Sequence, residues 1–134
     1  MTPFRTGRLA LLTAVLVLGC GDSGSGPVQP VPGPLQVVLT SPNTDDGAVM
    51  FQVIGVVDSA VAAPGVTVYQ SVPGPNILRV IATGNGIATG ASLLTLYVPD
   101  VNRASTVTFL VLQVAAKGSY AARATGGYSL KAKK

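Results

Sequence analysis

An all-β fold is predicted for this chain: a single antiparallel β-sandwich of about 7–8 strands, placed after a cleaved signal and a Gly/Ser/Pro-rich tether. Three observations carry that expectation. Val, Ile and Thr dominate after residue 34, and branched side chains suit a pleated, half-buried surface. Apolar residues recur there with period two, which puts them on one face of a strand. Gly and Pro break the chain at short intervals, where turns are needed. About 100 residues from Leu35 onward make one domain. The only cysteine is Cys20, so no disulfide can staple that domain and apolar burial must hold it.

The strands follow in order. Leu35, Val37 and Leu39 line one face of Leu35–Thr40, and Val49, Phe51 and Val53 line one face of Ala48–Ile54. Val66 and Val68 oppose Thr67, Tyr69 and Ser71. Leu78, Val80 and Ala82 mark Ile77–Thr83; Leu94, Leu96 and Val98 mark Ser92–Val98. Thr106–Ala115 is apolar on both faces, the pattern of a central strand covered on both sides. Tyr120–Ala124 offers a further short strand, and Tyr128 and Leu130 alternate with Ser129 and Lys131 near the end. Bends are expected at Asp46-Gly47, Pro64-Gly65, Pro73-Gly74-Pro75, Asn85-Gly86, Pro99-Asp100 and Gly126-Gly127. Asn85-Gly86 carries the strongest hairpin signal, because both residues tolerate positive φ. Val31-Pro32-Gly33-Pro34 recurs as Val72-Pro73-Gly74-Pro75. The recurrence reads either as two related hairpin units or as chance in a chain rich in these residues.

The amino-terminal quarter gives an address. Arg5 and Arg8 precede an uncharged run from Leu9 to Leu18, then Gly19 and Cys20. A basic start, a short apolar core and a small residue at the cut form the layout of a secretory signal. A membrane-spanning helix needs about 20 apolar residues, and this run is too short. Val17-Leu18-Gly19-Cys20 resembles the bacterial lipobox, although a residue smaller than Leu18 is more usual there. The resemblance identifies residues 1–19 as a lipoprotein signal peptide. It implies that Cys20 becomes the first mature residue, receives a diacylglycerol on its thiol and is acylated, as with palmitate, at its amino group. More than one such chain gives stable anchoring. Gly21 follows where an aspartate would retain the protein at the inner membrane, so the resemblance implies the outer membrane of a diderm bacterium. From Cys20 to Pro34 the chain alternates Gly, Ser and Pro, a flexible and then stiffer spacer. The domains expected are therefore 1–19 signal, 20–34 lipidated linker and 35–134 sandwich.

Composition narrows the chemistry. The precursor charge of +4 comes from nine basic and five acidic residues. Arg5 and Arg8 leave with the signal, and seven minus five leaves +2, too little to imply a nucleic-acid partner. Lys131, Lys133 and Lys134 form the clearest basic cluster, read as a frayed solvated end or as a contact for anionic headgroups. The chain has no His and no Glu. It therefore lacks the commonest general base and the commonest metal ligand. Paired carboxylates would have to come from Asp45, Asp46, Asp58 and Asp100, which lie in turn-like segments. No catalytic, cofactor-binding or metal residue is assigned, and no enzyme activity or cofactor is expected. Two loops deserve a comment. Gly84-Asn85-Gly86-Ile87-Ala88-Thr89-Gly90 lacks the third glycine of a phosphate fingerprint and leads into a strand, so it reads as a hairpin. Asn43-Thr44-Asp45-Asp46-Gly47 offers oxygens to calcium but lacks the distal acid of an EF-hand; a polar hairpin turn is the other reading. Tyr69 and Tyr97 lie opposite the apolar stripes and would suit a glycan platform or cross-strand pairs.

The outline of Ile77–Ala132 resembles the carboxy-terminal half of cohesin-type sandwiches. The shared elements are Leu78-Arg79-Val80-Ile81, the glycine loop from Gly84 to Gly90, Leu93-Leu94-Thr95-Leu96-Tyr97-Val98 and Gly127-Tyr128-Ser129-Leu130. The resemblance implies a non-catalytic binding role. The expectation is a lipid-anchored envelope protein whose sandwich binds or adheres to a protein or polysaccharide. The alternative is a structural lipoprotein, or an accessory subunit of a membrane complex, with no small ligand.

Overall fold

The computed structural model describes residues 26–134. Nine strands form two antiparallel sheets packed face to face. They are β1 Gly33–Thr40, β2 Asp46–Ile54, β3 Ser59–Ala62, β4 Val66–Gly74, β5 Ile77–Ile87, β6 Ser92–Val98, β7 Thr108–Ala116, β8 Ala122–Arg123 and β9 Ser129–Lys133. A 3-10 segment, Val101–Thr106, leads into β7. The four-stranded sheet runs β3-β6-β1-β9 and the five-stranded sheet β4-β5-β2-β7-β8. The fold is thus the β-sandwich that the alternating stripes predict.

Those stripes meet between the sheets. Leu35, Val37 and Leu39 of β1 and Leu94 and Leu96 of β6 are sealed from solvent against Val49, Phe51 and Val53 of β2 and Val80 and Ala82 of β5. Each fully buried side chain of this size contributes about 1.5–3 kcal/mol, which is how a domain without disulfides holds together. Only β4–β5 and β7–β8 are neighbours both in sequence and in a sheet; every other connection crosses to the opposite sheet. Pro75-Asn76 closes the first hairpin, with Asn76 at φ 54°. Pro at the first central position and a positive φ at the second is the type II arrangement.

Three expectations need correction, and one open alternative, the repeat, is decided in favour of chance. Asn85-Gly86 does not turn a hairpin. Both residues lie inside β5, where Gly84, Asn85 and Gly86 stand opposite Gly47 alone. Gly86 uses its positive φ of 84° for this bulge, and the same irregularity absorbs the bend expected at Asp46-Gly47. The second correction concerns β7, which is not covered on both faces. A bulge at Leu112 breaks its register with β2 between Met50 and Phe51. The bulge returns Val114 to the core side with Phe109 and Val111, and leaves Leu110 and Leu112 exposed. As for the repeat, the two Val-Pro-Gly-Pro units do not head matching hairpins. One enters β1 and the other ends β4, and the strand pairs that follow, β1 with β2 and β5 with β6, each lie in opposite sheets. Third, the basic tail is no frayed end: Lys131 and Lys133 lie on β9, in register with Val38 and Gln36 of β1.

β3 escapes the sequence pattern altogether. Ser59-Ala60-Val61-Ala62 is a four-residue edge strand of small side chains, too short to show a stripe.

Candidate functional site

Cys20, the residue on which lipidation rests, lies outside the described residues. Among the described residues, three places bear on function.

The first is a buried polar cluster at the start of β2. Asp46 is fully buried. Its carboxylate accepts from Ser41 Oγ at 2.6 Å, Arg123 Nη1 at 2.7 Å and the Tyr128 hydroxyl at 2.7 Å. Arg123 also donates through Nη2 to Asp45 Oδ1 at 2.8 Å, and Asn43 Nδ2 donates to the Tyr128 hydroxyl at 2.7 Å. The hydrogen bond to Asp45 and then that to Asp46 hold the Arg123 guanidinium well above its ordinary pKa. A buried charge is tolerated only when paired and hydrogen-bonded, and here every buried side-chain polar atom among the described residues has a partner. The calcium loop of the sequence reading is therefore an internal clamp. Arg123, 77 residues after Asp46 in the chain, stands where a cation would have to sit and ties β8 to β2. Sequence spacing gave no sign of that partner.

The second is the pair of tyrosines. Tyr69 lies on β4 of the five-stranded sheet and Tyr97 on β6 of the four-stranded sheet. Both face outward, from opposite sides of the sandwich, so they do not form a common platform. Asp100 caps the 3-10 segment, accepting from Asn102 N at 3.0 Å and from Val31 N at 3.2 Å. These backbone N–H bonds, Val31 first, hold its carboxyl below the usual range. Asp58 is exposed beside Ser59 and Asn76 in an open cleft.

The third place is one that the sequence reading did not single out. β8 pairs with β7 only at Val114 and Ala115. Among the described residues, Thr108–Gln113 therefore has no strand on that side. The segment is uncharged, as is the whole run from Ala104 to Ala116. Leu110 is 50% exposed and Leu112 37% exposed on the outer face of the sheet. Below them, an open groove of about 490 Å³ lies between β7 and β9, lined by Val107, Thr108, Phe109, Leu130 and Ala132 and by the charged Lys131 of β9. An unpaired strand edge presents a row of backbone N–H and C=O groups, ready to pair with another chain.

The other three edges are blunted. β9 carries Lys131 and Lys133, and β3 has only four residues. β4 is uncharged, but Pro73 and a register break between Ser71 and Gly74 interrupt it. Its Gln70 amide also reaches across to the Ala60 carbonyl of β3, at 3.5 Å. These are ordinary ways of protecting an edge, and β7 uses none of them beyond the bulge at Leu112. The signal in the sequence was the six-residue window Thr108–Gln113, apolar, β-prone and free of Pro. Its two-faced pattern pointed instead to a covered central strand.

Neither the family models, nor the curated proteins, nor the solved structures compared with this chain gave a match. The outline shared with cohesin modules gains no support there.

Proposed function

We propose that this chain is a lipid-anchored protein of the bacterial cell envelope, in the outer membrane, whose sandwich is a non-catalytic module that binds a protein partner by strand addition. The lipobox at Val17–Cys20 and the spacer behind it support the anchor. The observation that carries the binding role is the open, uncharged edge of β7, with two exposed leucines beside it. Strand addition supplies main-chain hydrogen bonds for affinity and alternate side-chain contacts for selectivity. Three of the four carboxylates among the described residues are otherwise engaged, Asp45 and Asp46 by Arg123 and Asp100 by backbone N–H groups, and Asp58 stands exposed in an open cleft without a second acid beside it.

Two measurements test the reading. Cys20→Ser should abolish the lipid mass and move the protein out of the membrane fraction; retention in the membrane refutes the anchor. A photo-crosslinking residue placed at Leu110 in the producing cell should give a protein adduct of defined mass, whereas one at Thr67 on β4 should not. An absence of any adduct at Leu110 refutes the binding role of the edge.

A further inference from the structure

We infer that the chain which completes β7 is a second copy of the same protein, joined by antiparallel two-fold pairing of β7 with β7. The inference rests on the binding role proposed for this edge and names its partner. A two-fold axis sets a strand against its own reversed sequence, so the strand must be complementary to itself. Centred on Leu110, the pairing places Leu110 against Leu110, Phe109 against Val111 and Thr108 against Leu112. Every pair then matches in face. Thr108, Leu110 and Leu112 are exposed, and half-buried Phe109 and Val111 turn to the core side, in register with Val53 and Phe51 of β2. The open segment has the length this requires. It begins where the 3-10 segment ends at Thr106 and stops where β8 takes over at Val114.

Charge selects the same edge. Like charges placed directly opposite one another destabilise a strand pair. Two-fold pairing of β9 about its middle residue would set Lys131 against Lys131 of the other copy, whereas nothing between Ala104 and Ala116 carries a charge. The result is one continuous sheet through both copies, with the exposed leucines of each covering the other. A shared membrane raises the effective concentration of the two copies and makes the second contact nearly intramolecular.

The test uses the full lipidated chain in detergent. With Cys20 acylated, Leu110→Cys supplies the only free thiol. Mild oxidation should convert it to a disulfide-linked dimer, while Thr67→Cys on β4 stays monomeric. Wild-type protein should sediment as a dimer. Leu110→Lys should sediment as a monomer with its thermal midpoint kept, because the lysine faces its own copy across the axis and is exposed in each chain. A monomeric wild type, or cross-linking through Thr67→Cys but not Leu110→Cys, overturns the inference. If the wild type is a monomer and the photo-adduct at Leu110 is a different protein, the self-pairing fails and the binding role of the edge survives.

Discussion

At the scale of single residues, the clearest test of the buried clamp is Tyr128→Phe. It removes one hydrogen bond to a fully buried carboxylate and should cost about 1.5–3 kcal/mol, the range for bonds to charged groups; urea titration reads this directly. Arg123→Met should lower the thermal midpoint. Arg103→Ala should leave it unchanged, because its pair with Asp100 is long at 3.9 Å and largely exposed. Asp100 adds a pH dependence. Its folded pKa is depressed by the Val31 and Asn102 amides. The stability it contributes is therefore present above the ordinary carboxylate value of 3.8 and is lost as pH falls through the lower folded value. The protection of the Val31 amide against hydrogen exchange, taken relative to its intrinsic rate at each pH, should fall in that acid window and stay flat above it. Arg123, raised in the folded state, gives the opposite sign: its contribution is full at every lower pH and fades only in strong alkali.

At the scale of elements, the bulges decide most. Gly47 sits where β2, β5 and the end of β7 converge. A β-carbon there would lie 2.9 Å from Lys117 Cα and 3.0 Å from the Ala116 carbonyl oxygen. Gly47→Ala should therefore cost about 1–3 kcal/mol through backbone displacement, measurable as a shift of the denaturation midpoint with unchanged slope. The β7–β8 turn holds a contrary case. Tyr120 is 70% exposed yet sits at φ 53°. Tyr120→Gly should raise stability by about 1 kcal/mol by removing the left-handed penalty of a β-carbon.

These irregularities also explain what the sequence made legible and what it hid. Period-two stripes placed β1, β2, β5 and β6 and their core faces, because each stripe is set by local alternation alone. Asn85-Gly86 was misread because positive φ serves a bulge as readily as a turn. The open edge of β7 was hidden because it depends on how short β8 is, and the one-sided exposure of β7 for a related reason. A one-residue bulge at Leu112 changes which face each side chain takes, and no local pattern announces it. The Asp46–Arg123 clamp was invisible because its partners are distant in sequence and meet only through the topology.

For the whole molecule, stability concentrates in the layer between the sheets. Phe51, the largest fully buried side chain, is central to it. Phe51→Ala should cost about 3–5 kcal/mol and, in a domain of this size, bring it close to unfolding at growth temperature. Calorimetry of the variant would show the lowered transition.

β1 completes its sheet by pairing with β9, the last strand of the chain. The β1–β9 ladder therefore cannot form until two segments far apart in sequence have met. Loop closure over such separations makes folding slow. In such a topology the β1–β9 ladder is expected to form late and to set the pace of folding.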